Sequence, residues 1–314
     1  MSKKITIIIP SLNEPDDELY NTIKNIYETA DNNLFDIIAI DDNSEEKYIS
    51  DLSAFPDIKI VRNEKRMGVD YCRDLGAKTA VTDNLLFLDS HMRFFRNSNW
   101  LNIMVKSCEA EKDVIWCSTS LGLGYGTMDL SKHKGRYYAA DILFIDKNAD
   151  PKRFSRECLE PNWRGKEDKE TYSVPCILGA VYFMTKKRFD FLHGFRGLKM
   201  WGSSEPFLSL KNFLCSGESK IHTGIEVGHR YRDNSPFSTG IHYLYYNKIY
   251  MCKTILPEDI GNKIMDCLPK NINFKNAMEL IEKNKTEIEG EKNYYNGIFN
   301  KTIFDFCREF NVSI

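Results

Sequence analysis

Residues 84–94 read NLLFLDSHMRF, and the rest of the chain is best understood outward from them. Asn84-Leu85-Leu86-Phe87-Leu88 is apolar without polar alternation, the pattern of a strand buried on both faces. It stops abruptly at Asp89-Ser90-His91. A carboxylate and an imidazole two residues apart on an extended segment point to the same side. One oxygen and one nitrogen make a workable ligand pair for a divalent ion such as Mn2+ that also binds phosphate oxygens. The tripeptide alone equally describes a polar turn after a strand, so its flanks must decide.

On the N-terminal side, Ile5-Thr6-Ile7-Ile8-Ile9-Pro10 is β-branched and predicts a central strand closed by proline. Ser11-Leu12-Asn13-Glu14-Pro15 then predicts a helix over 15–30, with Leu19, Ile23, Ile26 and Tyr27 at helical spacing. A second buried strand over 35–40 ends in Asp41-Asp42-Asn43-Ser44, a third covers 58–61, and a helix over 69–82 leads back to the opening stretch. Strand and helix alternating at short intervals give a parallel sheet with helices on both faces. Ligands bind such sheets beyond the carboxyl ends of the strands. The polar clusters at 11–14, 41–44 and 89–91 all fall there and are expected to converge.

Each of these residues also has a plainer explanation. Asp41 and Asp42 could be a solvated acidic loop; as ligands they would meet ribose hydroxyls or a base edge. Asn13 and Glu14 could cap a helix. Arg62, Arg66 and Arg73 could line a solvated helix face; facing a diphosphate, their guanidinium forks would suit phosphate geometry.

On the C-terminal side, 98–112 predicts a helix and 113–119 a strand. Leu121-Gly122-Leu123-Gly124-Tyr125-Gly126 precedes no clear helix and lacks a lysine, so it is not read as a phosphate loop. Residues 151–172 are charged and poorly periodic, which predicts a loop over the site. Residues 172–184 predict a strand in which Gly179-Ala180 lets a ligand come close. A short helix with Phe189, Phe191 and Leu192 follows. Met200-Trp201-Gly202-Ser203-Ser204-Glu205 then precedes a helix over 205–215. Trp201 could be core or wall a sugar site, and Glu205 at a helix start has favourable charge–dipole interaction as its ordinary role. Gly228-His229-Arg230-Tyr231-Arg232 offers a further histidine, a residue type more often structural than ligating.

The 314 residues suffice for a substantial core, and the net charge of −2 gives no basic field for nucleic acid. Nine cysteines, scattered without any Cys-x-x-Cys pair, argue against a disulfide framework or zinc ribbon and for reduced thiols in a cytoplasm. No apolar run approaches a membrane span.

Taken together, these pieces resemble a nucleotide-sugar glycosyltransferase with the GT-A fold: an α/β, Rossmann-like nucleotide-binding sheet with helices on both faces. More narrowly they resemble the catalytic domain of polypeptide N-acetylgalactosaminyltransferases and their bacterial relatives in glycosyltransferase family 2, from about Ile5 to Tyr250. Val61 to Gly68 with Arg73-Asp74-Leu75-Gly76-Ala77 match the stretch before the metal strand. Phe87-Leu88-Asp89-Ser90-His91 matches the Asp-x-His metal motif. Gly179-Ala180 through Trp201-Gly202 match the segment ending in Trp-Gly-Gly-Glu-Asn, and Val227 to Arg232 match the segment whose histidine is the third metal ligand.

The resemblance implies that Asp89, His91 and His229 hold Mn2+ against the diphosphate of a UDP-sugar, helping UDP to leave. It implies that Asp42 and Asp41 bind uridine, and that Pro10, Asn13, Glu14, Arg66, Arg73 and Ser90 lie along the donor. Gly179, Ala180, Trp201 and Gly202 would shape the sugar pocket, and Arg232 would assist at the diphosphate. The Trp motif departs from the family at Ser203-Ser204-Glu205. Glu205 becomes the candidate base if the reaction inverts. The implied activity is transfer of GalNAc or GlcNAc to a protein or peptide side chain, with a cell-surface polysaccharide or wall polymer as the other acceptor class. A sugar-nucleotide-binding module with little catalysis is the non-enzymatic rival. A nucleotidyltransferase would want a glycine-rich, lysine-containing loop after the first strand, which Ser11-Leu12-Asn13-Glu14 does not supply. Residues 1–255 are expected to form the catalytic domain. Residues 256–314, with Ile260, Ile264, Leu268, Ala277, Leu280, Ile281, Ile298, Ile303, Phe304 and Phe306 at helical spacing, predict a helical extension suited to packing, self-association or acceptor binding.

Overall fold

The computed structural model describes residues 2–96, 98–124, 129–145, 158–231 and 237–314. In chain order the elements are β1 (Ile5–Ser11), α1 (Glu18–Thr29), β2 (Phe35–Asp41), β3 (Ile58–Arg62), α2 (Val69–Thr79), β4 (Asn84–Leu88), β5 (Met92–Phe94), α3 (Trp100–Ala110), β6 (Val114–Leu123), β7 (Arg136–Tyr137), β8 (Ala140–Leu143), β9 (Glu160–Trp163), β10 (Thr171–Ser173), β11 (Val181–Thr185), α4 (Lys186–Phe191), α5 (Ser204–Leu214) and β12 (Glu218–Arg230). Five further helices complete the described chain: α6 (Ile241–Thr254), α7 (Glu258–Cys267), α8 (Ile272–Lys283), α9 (Lys285–Ile298) and α10 (Ile303–Phe310).

One sheet runs β10-β12-β6-β11-β4-β1-β2-β3, with β5 paired to β12 and β7 to β6. The β4-β1-β2-β3 half is parallel, as expected. β11 then runs antiparallel to both β4 and β6, making the sheet mixed. The apolar runs of β1 and β4 follow from burial on both faces. Ile5, Ile7 and Ile9 pack against α1 and α3, while Ile8 faces the opposite layer with Cys72, Ala77 and Phe207. Each such side chain contributes roughly 1.5–3 kcal/mol of hydrophobic stabilisation.

Several boundaries differ from expectation. The strand expected over 172–184 is two strands, β10 and β11, separated by an irregular segment in which Ala180 takes φ 75°. The loop expected over 151–172 contains β9, paired to β8, and β10; residues 151–157 lie outside the described residues. α1 starts at Glu18, three residues after Pro15, so Asn13 and Glu14 cap nothing and are released for other contacts. The C-terminal helices share one continuous hydrophobic core with the sheet: Ile260, Ile264, Ala277, Ile281, Tyr295, Ile303 and Phe306 are all in it, whereas Phe304 is exposed.

Candidate active site

β4 ends at Leu88, and the Asp89 backbone N–H donates to Ala180 O at 3.0 Å. This fixes the exit from the central strand beside the segment carrying Gly179. His91 lies one residue before β5, and His229 is the penultimate residue of β12. β5 and β12 pair antiparallel with His229 opposite Met92. Asp89, His91 and His229 therefore come together, their ligand atoms all within 4.8 Å of one another. The two Nε2 atoms are 3.1 Å apart, and His229 Nε2 is 3.6 Å from Asp89 Oδ2. His91 Nδ1 lies 3.4 Å from Glu14 Oε2. A carboxylate on the far ring nitrogen is the usual device for fixing the tautomer and orientation of a ligating histidine. One carboxylate and two imidazoles suit Mn2+ and neighbouring divalent ions, and three protein ligands leave positions for phosphate oxygens.

Arg73 on α2 is buried beside this cluster, 3.3 Å from Asp89 Oδ1 and 3.4 Å from Asp70 Oδ1. Its guanidinium lies over the rings of Tyr182 and Phe195. Burial works against the Arg73 charge, but Tyr182, Asp89, Asp70 and Glu205 outweigh it and its pKa is raised. Asp70 is fully buried, which raises its carboxyl to about 6 against the pull of Arg73; Ser204 Oγ donates to it at 2.7 Å. Glu205, on the first turn of α5, leans over Gly179, where an added Cβ would lie 2.7 Å from Glu205 Oε1. Burial raises the Glu205 pKa and Arg73 partly offsets it. The preceding turn places Gly202 at φ 104° and Ser203 at φ 68°, leaving Trp201 52 % exposed and outside the core.

The polar clusters at 11–14 and 41–44 join as expected. Asn13 N–H donates to Ser44 Oγ at 2.9 Å, and Glu45 N–H donates to Asn13 Oδ1 at 2.9 Å. Asp41 accepts from Ser44 N–H and pairs with Arg62. The Asp42 carboxylate is buried and turned to the 63–68 loop, where it accepts from Asn63 Nδ2, Met67 N–H and Gly68 N–H at 2.7–2.8 Å. Pro10 sits inside β1 opposite Ile40. Ser90 is buried, its carbonyl accepting from Thr22 Oγ1 at 2.9 Å. Arg66 donates to Ser238 O at 2.6 Å and lies over the Phe237 ring. Arg232 lies outside the described residues.

Sequence reasoning missed a row of rings leading away from the Asp89, His91 and His229 cluster. Tyr231 sits edge-on to His229, Tyr137 edge-on to Tyr231, and Trp163, 52 % exposed, against Tyr137. Lys248 was also missed. It is buried on α6 and donates to Cys158 O and, at 2.5 Å, to Glu160 Oε1, tying β9 to α6. Neither carried a local signal, since each depends on pairing across dozens of residues.

Residues 6–151 match the family described as Glycosyl transferase family 2. Over 247 residues the chain is 26% identical to human Polypeptide N-acetylgalactosaminyltransferase 10, covering 74% of this chain and 38% of that protein. The match places a glycosyl transferase family 2 domain over residues 6–151. A second relative of this domain, Polypeptide N-acetylgalactosaminyltransferase 3 of Taeniopygia guttata, is 26% identical over 265 residues, 81% of this chain and 42% of its own. The chain thus spans about two fifths of the length of these curated relatives. In fold it resembles GalNAc-T7, solved with UDP, GalNAc and Mn2+, at TM-score 0.75 and 18% identity over 98% of this chain and 57% of that one. It also resembles S. aureus TarS 1-349, solved in complex with UDP-GlcNAc, at TM-score 0.52 and 11% identity over 87% and 72%. The fold is GT-A: a central mixed sheet, parallel over β4-β1-β2-β3 and flanked by helices. No helix among the described residues is long and apolar enough to cross a membrane.

Proposed function

We propose that this chain is a metal-dependent glycosyltransferase that moves an N-acetylhexosamine, GalNAc or GlcNAc, from UDP to a hydroxyl or thiol of a protein or peptide. The observation that carries the reading is the meeting of Asp89, His91 and His229 at the carboxyl ends of the sheet. These three would hold Mn2+, with Glu14 orienting His91. When bound, the ion supplies charge neutralisation for the departing diphosphate. Arg73 adds a fixed positive charge beside the same point and holds Asp89 in place.

The other roles belong to the same proposal. Asn13, Asp41 and Asp42 build the paired loops against which uridine would lie, Asp42 by bracing the 63–68 loop. Arg66 and Arg232 would flank the diphosphate. Gly179, Ala180, Trp201 and Gly202 would shape the sugar pocket. In an inverting reaction the acceptor oxygen or sulfur bonds to the sugar carbon, the carbon–diphosphate bond breaks, and Glu205 takes the acceptor proton. Its raised pKa favours such a base. The ring row Tyr231–Tyr137–Trp163 offers flat faces for an acceptor, and the cysteines kept as buried thiols, such as Cys72, Cys108 and Cys117, fit a cytoplasmic setting.

Release of UDP from a panel of UDP-sugars, with Mn2+ and with EDTA and without acceptor, tests the reading. Metal-dependent cleavage of one sugar is the expected result. Failure of every UDP-sugar to bind in the presence of Mn2+ would overturn it.

A further inference from the structure

We infer that Glu18 is a positioning residue for the metal site, acting as a clamp between β5, which His91 immediately precedes, and β12, which carries His229. The inference rests on the metal reading above. Arg93 follows His91 by two residues and Arg230 follows His229 by one. Both guanidinium groups turn inward to meet the same carboxylate. Glu18 Oε2 accepts from Arg93 Nη2 at 2.7 Å, and Glu18 Oε1 accepts from Arg230 Nη1. Glu18, Arg93 and Arg230 are 3%, 3% and 8% exposed.

Thr22, one turn further along α1, completes the connection. Its Oγ1 accepts from Arg93 Nη1 at 3.0 Å and from Met92 N–H at 2.9 Å, and donates to Ser90 O at 2.9 Å. Arg230 N–H donates to His91 O at 3.1 Å, and Asp16 Oδ2 lies 3.4 Å from Arg230 Nη2. Every one of these bonds ends on, or within two residues of, His91 or His229.

Two guanidinium groups and one carboxylate buried together are a costly way to fill space, because well-packed apolar side chains of similar volume are often as stable or more so. Apolar packing would not, however, fix how far β5 slides along β12. A carboxylate shared by two guanidinium forks is directional. A site whose ligands shift by about 1 Å is present but too loose. The clamp therefore ties the first two turns of α1 to the spacing between His91 and His229.

The test compares wild type, Glu18→Gln and Thr22→Val by titration of free Mn2+ followed by EPR, by UDP binding in EDTA, and by thermal unfolding. Mn2+ affinity is expected to fall about 10- to 100-fold in both folded variants, with UDP binding in EDTA unchanged. Thr22→Val alters no charge, so it decides alone should Glu18→Gln fail to fold. Folded variants that bind Mn2+ as tightly as wild type would overturn the clamp while leaving the metal site standing. A wild-type protein without Mn2+ affinity would remove both.

Discussion

His91 Nε2 and His229 Nε2 face each other at 3.1 Å although 138 residues separate them in the chain. The pairing of β5 with β12 brings them there, and Glu14 turns the His91 ring so that Nε2, not Nδ1, points at its partner. His91→Ala together with His229→Ala should abolish Mn2+ binding, read by calorimetry, while far-UV circular dichroism stays that of the wild type. Retained Mn2+ affinity in the double variant would show that the ion sits elsewhere.

Gly179 and Glu205 give a test that separates chemistry from stability. An alanine Cβ at 179 would meet only the flexible end of Glu205, and Gly179 needs no left-handed backbone. Gly179→Ala should therefore change unfolding free energy by less than about 1 kcal/mol, since only a side-chain end must move. It should nonetheless lower kcat, as should Glu205→Gln. Steady-state kinetics on the preferred UDP-sugar check this; unchanged kcat in both variants would leave Glu205 as a helix-terminal residue.

Gly68 behaves oppositely. It holds φ 98°, and any Cβ there would collide with the Met200 backbone, with which residue 68 forms a bridge. Gly68→Ala should cost more than about 1 kcal/mol, because neither backbone can yield cheaply. Urea unfolding measures it, and a variant as stable as wild type would mean the loop relaxes freely.

Asp74 sets a pH dependence. Burial raises its carboxyl to about 7, against the Phe195 N–H that donates to it at 2.8 Å and the charge of Lys211. An unfolded Asp titrates near 4, so between about pH 4 and 7 the folded chain binds the extra proton, and this group's contribution to stability falls as pH rises through that window. Asp74→Asn removes the slope. Relative to wild type, the variant should gain stability between pH 5 and 7.5 in urea titrations; parallel curves would refute the assignment.

Much of this was legible in the sequence, for reasons tied to particular residues. β1, β2 and β4 announced themselves because both faces of the sheet are covered, which leaves apolar runs ended by Ser11, Asp41 and Asp89. β12 was harder to see: its register with β6 shifts between His222 and Glu226, which breaks the alternation. α6 hid because Tyr245, Tyr246, Ile249, Tyr250 and Met251 are buried around much of its circumference, leaving a weak polar stripe. The candidate metal ligands Asp89, His91 and His229 came from short motifs. Their support did not, since Glu18 reaches Arg93 across 75 residues and Arg230 across 212, separations that no local pattern encodes.

Lys211 lies wholly inside the protein, donating to Leu192 O, Gly194 O and Tyr295 Oη, while Glu291 on the same α9 helix accepts from His193 and Arg196. The consequence concerns where the chain could be cut. Trimming at residue 255 would strip Lys211 of its tyrosine, remove the anion that His193 and Arg196 share, and open the seam to water. The last sixty or so residues are thus a keystone rather than a tail, and a swap with some other C-terminal segment would have to rebuild that seam before the sheet above it could stand.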